Sequence, residues 1–251
     1  MKIVQIIFVI TLLVLFTYNC SIAQDSSKVV NNYPFYIGLA SGLTTLTLTD
    51  VNKLFDDVVM VYKQAGFPIK IQRQNPGNII FHLSASKDLS DVSTLGFRLQ
   101  HTWTSSYALY SDAIGDLDLI SKLSVSKFDV YYQLNLTDRF EPLLASLQFY
   151  SGFLSFTYNL TTESNVPLLP ELNSKSRLYF NKIIPCFELL VFFKYKFGIV
   201  GLSTSAGFRI ASTSKVYAHS SQDDIPYDEG EIDLDVNLTG LVCLVGLEIA
   251  L

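Results

Sequence analysis

Beyond its first two dozen residues the sequence has no apolar run long enough to cross a bilayer as a helix. Such a helix needs about 20 predominantly apolar residues. Residues 189–193 (LLVFF) are typical of what the rest of the chain offers. Charge is also scarce, at 16% of residues, where soluble domains average about 25%. No basic stripe appears, which argues against a nucleic-acid partner. Only three cysteines occur. Cys20 lies in the leader, preceded by Asn19 where a lipoprotein would carry a small residue. Cys186 and Cys243 fall on opposite parities of stretches that we place two strands apart. Neighbouring strands lie about 4.8 Å apart, so these two are out of reach of a disulfide and are expected to be free thiols.

What is present is apolar: 49% hydrophobic and 13% aromatic residues. High hydrophobicity without long runs fits a chain whose lipid-facing and lumen-facing positions alternate. The beginning reads as a secretory signal. Lys2 supplies the positive start, residues 3–16 are apolar apart from Gln5 and Thr11, and Ser21-Ile22-Ala23 places small residues at the cleavage positions. The expected organisation is a signal peptide at 1–23, a linker at 24–32 and one domain at 33–251. Removing Lys2 with the signal moves the formal charge from −5 to −6.

The clearest alternation is at the end of the chain. Leu241, Cys243, Val245, Leu247, Ile249 and Leu251 share one parity; Val242, Leu244, Gly246, Glu248 and Ala250 share the other. Successive side chains of a strand point to opposite faces, so one face meets a uniformly apolar medium. The same pattern recurs upstream, giving expected strands over 33–48, 78–87, 95–110, 117–136, 143–160, 178–195 and 199–213. An amphipathic helix is expected at 50–65, with Val51, Leu54, Phe55, Val58 and Tyr62 on one face and a stop at Gly66 and Pro68. Residues 69–72 read as the upper end of the second strand, broken at Asn75-Pro76-Gly77. Short turns at 87–93, 137–142 and 196–198 alternate with loops at 111–116, 161–175 and 215–231. An even strand number with short turns on one side and long loops on the other is the asymmetry of transmembrane barrels. The expected fold is all-β: an eight-stranded antiparallel up-and-down transmembrane β-barrel with one amphipathic helix in its first long loop. Several strands exceed the roughly 9–11 residues that a tilted span needs, so they are expected to project beyond the outer leaflet.

Over residues 33–251 this pattern resembles the small eight-stranded outer-membrane barrels of the OmpA, OmpX and OmpW type. Its most specific parts are the signal, the short–long alternation and the final stretch 240–251. The resemblance implies a bacterial outer-membrane location of Gram-negative type, a monomer in outer-membrane lipid, and passage through the barrel-assembly machinery. Members usually end on an aromatic residue, and Leu251 departs from that. The helix is also untypical of them.

Arg98, Lys127, Asp129, Glu188, Lys194, Arg209 and Glu248 sit opposite the apolar parity and are expected to point inward. An eight-stranded barrel is just wide enough for side chains to fill, and buried charges must pair. An internal network is therefore expected, with Arg98 and Arg209 among Glu188, Glu248 and Asp129. It would act first as a plug, and secondarily as the gate of a thin pore. His82 and Ser84 share a face and offer a base and a nucleophile for a lipid A deacylase-like enzyme, with no visible third group. His101 and Trp103 read as an aromatic belt at the upper rim. Asp223, Asp224, Asp228, Glu229, Glu231, Asp233 and Asp235 read as a solvated acidic loop whose spacing does not match a calcium loop. The expected role is non-enzymatic, structural or porin-like, without a cofactor. A rim enzyme and a secreted lipid-carrier barrel are the alternatives.

Overall fold

The computed structural model describes residues 34–45, 49–64, 66–74, 79–112, 115–138, 142–165, 174–211, 214–217, 219–220 and 233–251. The segments expected as signal (1–23) and linker (24–32), and most of the acidic loop, lie outside these. The elements in chain order are β1 (Phe35–Thr44), α1 (Thr49–Gln64), β2 (Lys70–Gln74), β3 (Ile79–Ser90), β4 (Ser93–Ser111), β5 (Asp116–Asn135), β6 (Leu143–Asn165), β7 (Ser174–Phe197), β8 (Val200–Ala211), β9 (Ser214–Tyr217), β10 (His219–Ser220), β11 (Asp233–Val236) and β12 (Gly240–Ala250).

Eight of these close a ring. β1 pairs with β3, each strand from β3 to β8 pairs with the next, β8 pairs with β12, and β12 returns to β1, all antiparallel. Closure leaves no free edge around the ring. Following paired residues once round, from Ile184 through Leu154, Lys127, Gln100, His82, Ala40, Gly246 and Ser203, returns to β7 at Lys194 rather than Ile184. That stagger is the geometric partner of a strand tilt of about 40°.

The wall is uneven. β1, β3, β8 and β12 are 10, 12, 12 and 11 residues long, whereas β4, β5, β6 and β7 are 19, 20, 23 and 24. Both described chain ends and the tight turns at Asp91-Val92 and Gly198-Ile199 lie at the low end. Gly198 takes φ +65° there, a conformation that costs glycine nothing. One expectation is corrected at the other end. Within the loop expected at 111–116, Ser111 and Asp116 are already paired as the last residues of β4 and the first of β5, and the Asp112 N–H donates to Gly115 O (3.1 Å). The loop expected at 161–175 is likewise strand up to Asn165 and again from Ser174.

Along the tall strands the two parities exchange character. On β5 the lumen side is Leu117, Leu119, Leu123 and Val125 in the upper half, then Lys127, Asp129, Gln133 and Asn135 below, all buried. The outward side is Asp118, Lys122, Ser124 and Ser126 above, then Phe128, Val130, Tyr132 and Leu134 below. Below the crossover the outside is apolar and the inside polar, as a lipid-embedded barrel requires. Above it the order is that of a soluble sheet, apolar within and polar without.

The upper apolar face needs a cover, and α1 supplies it. Val51, Phe55 and Val59 are buried in one core with Leu119, Leu154, Phe156, Tyr158 and Phe180 of the tall strands and with Leu234 and Leu238. Val59 joins the face that the spacing assigned to Val51, Leu54, Phe55, Val58 and Tyr62. The helix ends where the Gly66 N–H meets Lys63 O (3.0 Å) and the Phe67 N–H meets Tyr62 O (3.1 Å). This is a Schellman stop with Gly66 at φ +95°. Phe67 packs edge-on against Tyr62 and Tyr110, which fixes the helix end to the top of β4. β2 runs beside the upper part of β4, continuing above β3.

Candidate functional site in the barrel lumen

All seven candidate charges occupy the inward parity of their strands. Five form one cluster. Arg98 of β4 donates from Nε (2.9 Å) and Nη2 (2.6 Å) to Asp129 Oδ2 on β5, and from Nη1 to Glu188 Oε1 on β7 (3.0 Å). Lys127 pairs with Asp129 at 3.1 Å and also with Glu188. Arg209 of β8 donates from Nε to Glu188 Oε2 (3.2 Å), from Nη2 to Gln100 Oε1 (2.8 Å) and from Nη1 to Thr44 Oγ1 (3.4 Å). Every charged member is at least 96% buried. Glu188 is the hub, meeting Arg98, Lys127 and Arg209.

Glu248 does not join this cluster, contrary to expectation. It pairs with Lys194 at 2.8 Å nearer the turn end, where the Lys194 ammonium also lies 3.9 Å from the Tyr36 ring centre. The reason is the stagger. Paired residues climb as they pass round the ring, so membership of the inward parity does not fix a residue's height.

Several partners carried no charge and were not singled out from sequence. The Tyr150 ring lies 3.5 Å beneath the Arg98 guanidinium, a cation–π contact in a dry site. Its hydroxyl donates to Gln148 Oε1 (2.7 Å), Gln148 Nε2 donates to Gln133 Oε1 (2.7 Å), and Gln133 Nε2 donates to Asn135 Oδ1 (2.8 Å). The amides thus continue the polar filling below the charges. Asp88 accepts from Thr94 and, at 3.2 Å, from Tyr36. The usable signal was parity: Gln100, Gln133, Asn135, Gln148 and Tyr150 all alternate in phase with the charges.

His82 and Ser84 also face the lumen, but not each other's chemistry. The Ser84 hydroxyl donates to Gly38 O (3.5 Å), and neither ring nitrogen of His82 has a hydrogen-bond partner among the described residues. His101 and Trp103 point outward at the crossover. His101 Nδ1 is 2.9 Å from Ser126 Oγ, and Trp103 stacks on Phe81. Cys186 is buried and Cys243 exposed, both free. Among the described residues no cluster of histidine, cysteine and carboxylate side chains could hold a metal ion.

A cavity of about 20 Å³ is bounded by His82, Ser84, Tyr150, Ser203, Ser205 and Glu248, room for about one water. A larger concavity is lined mainly by the outward-facing Leu39, Phe81, Leu99, Phe128 and Val245, with His82, Gln100 and Lys127 also bordering it.

A closed eight-stranded barrel with an apolar outer belt and an ionic lumen is the fold of bacterial outer-membrane β-barrel proteins. The chain is similar to a major outer membrane protein from Thermus thermophilus, with a TM-score of 0.52 and 13% identity over 88% of this chain and all of that one. Fainter likenesses are to the outer membrane protease OmpT from Escherichia coli (TM-score 0.48, 10% identity, 90% of this chain and all of that one) and to Neisserial surface protein A (0.31, 13%, 86% and 96%). No protein-family model and no curated protein matches the sequence.

Proposed function

We propose that the protein is a non-enzymatic, monomeric component of the bacterial outer membrane whose barrel is closed by its own side chains. Its role is structural: a lipid-embedded anchor that carries a folded cap at its outer end. The observation behind this reading is the cluster centred on Glu188, which spans the lumen from β4 to β7 with every charged member buried. A narrow pore would need a continuous water path through that cluster. An enzyme using His82 and Ser84 would need the two in contact and open to substrate, and Ser84 is instead turned to Gly38.

The test is single-channel recording in planar bilayers. The wild-type protein is expected to give no current steps, and Glu188→Gln to give brief openings as the cations lose their hub. A steady current through the wild type would favour the porin-like reading. The enzyme reading is checked separately, by lipid A acylation in cells carrying His82→Ala. Unchanged lipid A is expected.

A further inference from the structure

The charges of the mid-lumen cluster do not balance. Arg98, Lys127 and Arg209 are positive, and among the described residues only Asp129 and Glu188 meet them as negative partners. The other inward acids lie elsewhere. Glu248 is matched by Lys194, and Asp88 sits near the turn end of β3, bonded to Tyr36 and Thr94. A surplus positive charge held away from water is costly unless something negative meets it.

Two neutral side chains beside the surplus have donors to spare. Gln100 accepts from Arg209 through Oε1, which fixes the amide orientation and turns Nε2 away. That nitrogen is buried and has no partner among the described residues. His82 is its direct cross-strand neighbour, and both His82 ring nitrogens are buried and unpartnered as well. Beyond His82 the wall is low, since its neighbours in register are Ala40 and then Gly246. The small cavity adjoins His82 on its Ala40 side, not its Gln100 side. Glu248 also lines it, with its charge met by Lys194. Asp129 Oδ1 lacks a donor too, but it belongs to the negative side of the cluster.

We propose that the lumen binds one small monovalent anion of the halide class, held by Gln100 Nε2 and the His82 ring N–H at the positive side of the cluster. Positive rings are the usual means by which barrels and channels hold anions. Here the ion would be a structural counter-ion and not a permeant one, because the amide ladder below and the apolar core above leave no continuous path through the barrel. Being internal to the closed barrel, the site is distinct from any role of the cap or the outer surface.

The experiment has two arms on the detergent-solubilised full chain. Crystals soaked in sodium bromide are expected to show an anomalous peak within hydrogen-bond distance of Gln100 Nε2. Thermal unfolding in sodium chloride against sodium gluconate, at equal ionic strength, is expected to show a saturable upward shift, roughly 3 °C at ten times the dissociation constant. The shift should vanish in Gln100→Leu. No peak at this position, or equal midpoints in the two salts, would overturn the site. A peak without any salt-specific shift is binding at crystal concentration only and overturns it equally. Should Gln100→Leu not fold, the two wild-type measurements decide.

Discussion

Arg98 and Glu188 stand on strands separated by two others, yet Nη1 and Oε1 meet at 3.0 Å across the lumen. No contact between neighbouring strands can do this. It fixes the diameter of the barrel at mid-height, as well as the pairing around it. Each ion comes out of water to make the contact, so the cluster's worth lies less in net stability than in permitting one arrangement of strands.

Replacing Glu188 by Gln leaves three buried cations facing Asp129 alone. The expected loss is about 3–5 kcal/mol, typical of breaking one side of a buried ion pair. Urea unfolding in lipid vesicles, followed by the electrophoretic shift between folded and unfolded barrel, measures it. A change below about 1 kcal/mol would mean that water reaches the cluster.

The exchange of polarity along β7 separates two positions of the same parity. Val191 lies within the apolar belt and Asn181 above it. Val191→Arg should cost about 2–4 kcal/mol, as charges do near the middle of a barrel's lipid face. Asn181→Arg should cost almost nothing. Equal costs in vesicle unfolding would place the membrane boundary elsewhere.

Phe55 is buried where α1 meets the tall sheet. Phe55→Ala should cost about 3–5 kcal/mol, and the loss should fall on the cap alone. Proteolysis of intact cells is expected to cut near the helix in this variant and not in the wild type, while the electrophoretic shift of the barrel stays unchanged. Loss of both together would show that cap and barrel fold as one unit.

Tyr158 gives the cap a pH dependence. Burial pushes its hydroxyl up to about 12, against the donated hydrogen bond from Ser121 (3.1 Å). An unfolded tyrosine titrates near 10. The folded cap favours the protonated form, so this contribution is complete below pH 10 and is lost as pH rises through about 12. Protease sensitivity of the cap should rise over that window in the wild type and less steeply in Tyr158→Phe.

Much of this architecture is written in local alternation. Leu241 to Leu251, or Phe128 to Leu136, must face lipid with one parity because a strand offers its two faces nothing else to distinguish them. Eight such stretches, the helix and its stop at Gly66 were legible for that reason. The upper half of β5 was legible in principle as well: Leu117, Leu119, Leu123 and Val125 carry the apolar parity opposite to that of Phe128 and Val130. Its meaning depends on knowing that water, not lipid, lies outside there.

Sequence alone therefore determined the class of fold and which side chains turn inward, since both follow from a period of two. Tertiary structure decided which of those side chains meet. The stagger of the closed ring gave Glu188 to Arg98, Lys127 and Arg209, left Glu248 to Lys194, and set Gln100 beside His82. Heights around a tilted barrel depend on the register of every strand at once, and no single stretch of chain encodes that sum.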